Sequence, residues 1–355
     1  MDKKRFFKIL KLLPMLVGTV LCVAGLVIYP KETADGIKNG LLLLAETIIP
    51  SLFPFMVLST YISNSPLIDF FAKILEKPAQ KIFKTNATAL ISVILGLLGG
   101  YPIGAKSAAE FYERGKLTEN EVRRLFCWCV NPSPAFVITA VGTFMLANTK
   151  SGIILYFSCL SATLTIGFCT RFFSDGKSIL KTSENTANHK NIFVNSVSVG
   201  TEAMFSVCGW VLVFSAIAVL SDVFTPSETV AVLLKSVLEV TTGCGYAVSN
   251  GLPLPVICAI LGFGGLAVIF QIAPYTEKCN IQIKTFICIK IINGALSSFF
   301  CSQFLKIFPQ STAVFTEIHV GGTVFPISHS ISATLILLLM CTVLIFEVDN
   351  KRKMC

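Results

Sequence analysis

The chain has 355 residues, of which 54% are hydrophobic and only 14% charged, with a formal net charge of +9. A soluble domain carries about 25% charged residues, and the mean hydropathy of +0.75 excludes an ordinary water-soluble globule. The basic residues fall in short runs beside apolar segments, the positive-inside pattern of a multi-spanning membrane protein, and none is long enough to stand as a nucleic-acid site.

The N-terminal run, Lys3, Lys4, Arg5, Lys8 and Lys11, precedes an apolar stretch from Leu12 to Tyr29. That stretch is about 27 Å long as a helix, enough to cross a bilayer. No small-x-small cleavage site follows, so it reads as an uncleaved first helix rather than a signal peptide. Further spans are predicted over 41–62, 122–147, 151–170, 196–220, 283–300 and 327–347. Residues 66–83 place Lys73, Lys77, Lys81 and Lys84 on one helical face, which predicts an amphipathic helix lying in the membrane interface.

Two apolar segments are interrupted by glycine. Residues 87–112 break at Gly99-Gly100-Tyr101-Pro102-Ile103-Gly104, and residues 253–276 break at Gly262-Phe263-Gly264-Gly265. Non-helical backbone at membrane depth must be buried in protein or line a cavity, and interrupted segments in corresponding places point to a binding site. Each is predicted to be a re-entrant helical hairpin; glycines that only allow close helix packing are the alternative. Glu76 and Glu239 precede the two tips at nearly the same interval. The expected fold is therefore an all-α membrane protein of two inverted repeats with re-entrant hairpins and broken transmembrane helices. The expected divisions are 1–40, a first repeat 41–147, a connecting span and polar loop 148–195, a second repeat 196–300, and 301–355. For the inverted arrangement to hold, 229–248 lies along the membrane surface; if it spans instead, the repeats are not cleanly inverted. The C-terminal Lys351-Arg352-Lys353 then falls outside in the first case and inside in the second.

The candidate site residues are those that could present polar groups at membrane depth. Gly100, Tyr101, Pro102 and Gly104 form the first tip, where a helix start offers free N–H groups to an anion. Lys106 follows them, either as an anion-binding cation or as a side chain snorkelling to the cytoplasmic face. Asn131 and Ser133 flank Pro132 in a string, Asn131-Pro132-Ser133-Pro134, that breaks the span at 122–147. Glu239, Thr241 and Thr242 are polar in an apolar setting; Glu239 either binds a proton or cation coupled to transport or pairs with Lys235. Gly264, Gly265 and Gln271 belong to the second interrupted segment.

No catalytic signature is present: no Walker loop, no Gly-x-Ser-x-Gly, and no carboxylates at acid/base spacing. Six of the thirteen cysteines, Cys22, Cys159, Cys169, Cys208, Cys258 and Cys288, lie in apolar runs, where they act as small hydrophobes, and the three histidines have no ligand partners at helical spacing. Neither a metal nor another cofactor is expected. The expected partners are the lipid bilayer and a small anionic substrate, with a proton or cation coupled to its movement.

The strings Ile49-Pro50-Ser51-Leu52-Phe53-Pro54-Phe55, Gly100-Tyr101-Pro102-Ile103-Gly104-Ala105-Lys106 and Phe263-Gly264-Gly265 resemble the YlbJ-type sporulation integral membrane proteins, which carry the nucleoside-recognition or gate domain twice. The resemblance covers nearly the whole chain. It implies an architecture similar to concentrative nucleoside transporters, a bacterial membrane location, and a role in moving dipicolinic acid across the outer forespore membrane during sporulation. Residues Leu266-Ala267-Val268-Ile269-Phe270-Gln271 are less polar than that pattern leads one to expect. A nucleoside or other small solute, or a non-transporting scaffold in spore or envelope assembly, are the alternatives.

Overall fold

The structure, a computed structural model, describes Gly25 and residues 27–174, 191–224 and 228–308. The predicted spans at 12–29 and 327–347, most of the 171–195 loop and the basic C-terminal tail lie outside the described residues. Among the described residues every element is helical.

The first long helix, α1, covers Pro30–Asn64, so the helix starts well before the predicted 41. Pro50 and Pro54 do not break it. A π-helical turn at Leu44–Ile48 lies just ahead of Pro50 and accommodates its missing N–H, while Pro54 sits inside the α-helical part that follows. An amphipathic helix follows, α2 (Leu67–Phe83). It exposes Phe70, Ile74 and Ile82 while burying Ile68, Ala79 and Phe83, and it lies at 96° to the next helix. An amphipathic helix is therefore present where one was predicted. Arg124 donates hydrogen bonds to the carbonyls of Phe83 (2.8 Å) and Lys84 (3.1 Å) and pins its C-terminal end.

Helices α3 (Ala87–Gly99) and α4 (Tyr101–Glu113) form the first re-entrant hairpin. The Asn86 side chain donates to the Lys116 carbonyl at 3.0 Å, so the two ends meet on one side of the membrane. The limbs touch through Gly96 and Gly104: a Cβ on Gly96 would lie 2.9 Å from the Gly104 Cα. Gly100 turns the chain with φ 89°, a conformation that glycine adopts without a Cβ penalty.

The span predicted at 122–147 is broken, as Pro132 and Pro134 imply. Helix α5 (Glu119–Phe126) ends, residues 127–133 run without regular helix, and α6 (Ala135–Met145) resumes as a π-helix. Helix α7 (Thr149–Thr170) returns across the membrane, packed on α6 where Gly142 and Gly152 approach closely.

The second half repeats this order with two corrections to the expected elements. Helix α8 (Ile192–Phe224) takes the place of α1. Residues 228–249, expected on the surface, are the second re-entrant hairpin: α9 (Glu228–Leu238) and α10 (Val240–Ser249) fold back on each other with Glu239 at the tip. The limbs touch where a Cβ on Gly243 would lie 2.5 Å from the Ser236 Cα, and the Lys235 Nζ sits 3.2 Å from the Tyr246 ring centroid. The glycine-broken segment at 253–276, expected as the hairpin, is instead one broken span. Helices α11 (Leu254–Phe263) and α12 (Gly265–Lys278) continue in one direction through Gly264. Helix α13 (Ile283–Ile307) runs back beside them: Cys301 lies against Cys258, and Gly294 against Gly262. The far end of α12 therefore reaches the opposite side, where Lys278 pairs with Glu113 at the mouth of the first hairpin (3.0 Å).

Following the chain, α3–α4 enters from the side that carries Lys73, Lys77, Arg114, Arg171 and Lys284. That side is cytoplasmic by the positive-inside rule. Helices α5–α6, α7 and α8 then cross three times, so α9–α10 enters from the opposite side. Long helix, hairpin, broken span and closing span occur twice in that order and in opposite orientation.

Candidate functional site

The prolines create the first functional feature locally. In a helix the Trp128 and Val130 carbonyls would accept from the N–H groups of residues 132 and 134, and both are proline, which has none. Each carbonyl is instead met by a side chain. Asn131 Nδ2 donates to Trp128 O at 2.7 Å. Lys290 Nζ, from the middle of α13 in the other half, donates to Val130 O at 3.0 Å. The second break repeats this logic. Gly264 and Gly265 have φ 85° and 79°, which takes the Gly265 N–H away from the Leu261 carbonyl. The Tyr101 hydroxyl, from the first hairpin tip, donates to Leu261 O at 2.8 Å. Each half thus satisfies a freed carbonyl of the other, and the Tyr101 ring packs against Gly264, where a Cβ would meet its Cε1 at 3.3 Å.

The two tips and the two breaks surround one pocket of about 470 Å³, its open mouth included. The halves contribute equivalent elements to its wall: Ile48 and Leu52 of α1 face Val207 and Val211 of α8, Gly100–Pro102 face Glu239–Thr241, and Ser133 and Phe136 face Ala267, Val268 and Gln271. The enclosed part is narrow, with room for only a few water molecules.

The polar groups in this wall have distinct states. Glu239 is 2% exposed and caps its own helix: its carboxylate accepts from the Thr241 N–H (2.9 Å), the Thr242 N–H (2.6 Å) and the Thr242 hydroxyl (2.8 Å). The helix start at the second tip is therefore already occupied by a carboxylate. Ser133 Oγ accepts from the Phe136 N–H at 3.2 Å. Gln271 is 8% exposed, faces the pocket and makes no hydrogen bond among the described residues. Its amide offers both a donor and an acceptor to whatever enters.

The other sequence-predicted residues lie around this centre rather than on it. Asn131 is buried behind the wall, its amide oxygen accepting from the Thr163 hydroxyl at 2.6 Å, so it braces the break through its nitrogen and ties it to α7 through its oxygen. Gly104 and Gly96 clear space for the Cys129 carbonyl. Gly264 and Gly265 shape the second break, Gly265 lying close to the backbone of Leu238, Glu239 and Val240. Lys106 is separate from the pocket. It reaches toward the Val199 carbonyl (3.5 Å) and lines a second, cytoplasmic recess with Glu110, Glu113, Glu202, Ser206 and Lys278. Lys290, 1% exposed, is the residue that sequence reasoning missed. A lone lysine seven positions into an apolar helix reads as one that snorkels, and the signal that distinguishes it, the two prolines in a different span, is remote in sequence.

Residues 45–174 match the family model for the Gate domain, described as nucleoside recognition. Over 320 residues, 78% of this chain and 78% of the relative, the sequence is 23% identical to the sporulation integral membrane protein YlbJ of Bacillus subtilis (strain 168). The chain is thus similar to a YlbJ-type membrane protein and carries a match to the Gate domain in its first half. The match begins at the π-turn of α1 and ends after α7, so the Gate model spans the interfacial helix, the first hairpin, the first broken span and its closing helix. The second half of the chain lies beyond that match and repeats the order of its elements. No solved structure matches the chain.

Proposed function

We propose that this protein is a permease that moves a small solute by alternating access through the pocket between its two hairpin tips. The observation that carries this reading is the lining: two halves of opposite orientation each contribute a long helix, a hairpin tip and a break to one enclosed space. Inverted halves that share one site near the bilayer midplane can open it to one side and then the other by exchanging conformations. A scaffold needs no such space, and the Gln271 amide facing it makes no structural hydrogen bond among the described residues.

The relative's role in sporulation, carried by its name, extends to this chain as part of the proposal. The bacterial membrane concerned is then the outer forespore membrane and the first solute to test is dipicolinic acid. Lys106 would be the cation that a carboxylate meets on its way from the cytoplasm to the first tip, although Glu110, Glu113 and Glu202 in the same recess oppose its entry. A second reading has its own support. Among the described residues, the hydrogen-bonding groups of the pocket not already engaged are uncharged, the Gln271 amide and the Thr241 hydroxyl, and the Glu239 carboxylate is engaged in capping. An uncharged polar solute such as a nucleoside suits that wall.

Purified protein in proteoliposomes, offered labelled dipicolinate, other small acids and nucleosides, separates these readings. Dipicolinate uptake that falls in Lys106→Met supports the anion permease. Nucleoside uptake indifferent to Lys106→Met but lost in Gln271→Leu supports the second. Folded protein that moves none of them favours a scaffold.

A further inference from the structure

We propose that Lys290 is a tethered cation that permanently fills the cation site of the first broken span, so that this protein needs no free metal ion there. The argument starts from the backbone. A broken membrane helix presents freed carbonyls, and in secondary carriers such carbonyls coordinate the coupling Na⁺ or proton. Here the freed carbonyl is that of Val130, orphaned because Pro134 has no N–H to offer it. It points not to an open cavity but to the Lys290 ammonium at 3.0 Å.

The surroundings of that ammonium are those of a bound cation. The side chain is 1% exposed, at membrane depth, where a charge is costly and carries a function by default. The Tyr101 ring lies 5.5 Å away, within reach of a cation–π attraction. Among the described residues the titratable groups that face Lys290 are Tyr101 of α4, Cys129 of the break and Cys159 of α7, none of them a carboxylate. A carbonyl dipole and an aromatic face, without a carboxylate, hold an ammonium by the same means that they would hold an alkali cation. Lys290 also ties α13 to the break between α5 and α6, across the two halves, so its charge bears on the interface that alternating access must rearrange. The inference concerns the resting protein and stands whether or not the pocket carries a solute.

The test needs no transported solute. Thermal unfolding of the detergent-purified full chain is followed in NaCl and in choline chloride at equal ionic strength, for wild type, Lys290→Ala and Lys290→Met. Wild type should unfold at the same temperature in both salts. Lys290→Ala, with space and a bare carbonyl, should unfold earlier in choline and show a saturable upward shift with added Na⁺ or methylammonium. Lys290→Met, which fills the space without charge, should unfold earlier than wild type in both salts. Lys290→Met as stable as wild type, or a cation response no larger in Lys290→Ala than in wild type, overturns the proposal. If the variants fail to fold, a structure of wild type in a thallium(I) salt decides: no thallium at the Val130 carbonyl supports the tethered cation, and thallium there overturns it.

Discussion

Gly104→Ala should be among the most damaging single-methyl additions in the protein. Gly104 sits on α4, where the first hairpin closes against the break between α5 and α6. The added Cβ would lie inside the van der Waals shell of the Cys129 carbonyl oxygen, 2.8 Å from its carbon and 3.1 Å from the Gly96 Cα. Carbon atoms rest about 3.5–4.0 Å apart, so the hairpin and the break must separate by roughly 1 Å. All three neighbours are backbone and have no rotamer through which to yield. Overpacking of this kind costs about 1–3 kcal/mol even where side chains can adjust, and here the upper end, about 3 kcal/mol, is expected. Gly245→Ala on α10 is the control: it meets nothing within 4 Å and should be neutral or stabilising by about 0.4–1 kcal/mol through the unfolded chain. Thermal or denaturant unfolding of the two variants in the same detergent gives the comparison. Gly104→Ala as stable as Gly245→Ala would refute the close packing of hairpin on break, and with it the geometry of the pocket wall.

Tyr101→Phe keeps the ring but strips the Leu261 carbonyl of its donor, an unsatisfied buried group worth about 1–3 kcal/mol; the same unfolding assay should register the loss, and an unchanged stability would show that the hydroxyl does not bridge the halves. Gln271→Leu breaks no hydrogen bond among the described residues, so folding should be unaffected while affinity for the transported solute drops about tenfold, roughly 1.4 kcal/mol, in equilibrium binding. Glu239→Ala removes the cap of α10 and should cost about 0.5–2 kcal/mol, whereas Glu239→Gln, with one acceptor left, should lie between; equal stability of all three would dismiss the capping role. In a background cleared of native cysteines, probes at Lys116 and Asn250 should label from opposite sides of the membrane, and same-side labelling would contradict hairpins entering from opposite faces.

Much of this architecture was legible in the residues alone. The run of lysines at helical spacing marks α2 as an interfacial helix because only that face can stay in water. Pro132 and Pro134 mark a broken span because a missing N–H is a property of the residue, independent of context. Gly99-Gly100 likewise marks a sharp reversal. The same reasoning misplaced the second hairpin. Gly264-Gly265 carries the same local signal as Gly99-Gly100, and both bend the backbone, but a glycine pair permits a turn without deciding how far the chain turns. That is decided by what the following helix packs against: α4 closes on α3 through Gly96 and Gly104, whereas α12 leaves α11 to pack beside α4 and meets Glu113 through Lys278. The true second tip has no glycine. Glu239 makes the turn in an extended conformation, with φ −147°, and its carboxylate supplies the cap, so the segment resembled an ordinary amphipathic helix. Lys290 eluded local reading for a related reason. Which backbone groups are orphaned is written in the positions of the prolines and glycines, since it depends on each residue's own N–H and φ. Which side chains answer them, Lys290 for Val130 and Tyr101 for Leu261, depends on elements some 160 residues apart, and only the packing of one inverted half against the other brings them within 3 Å.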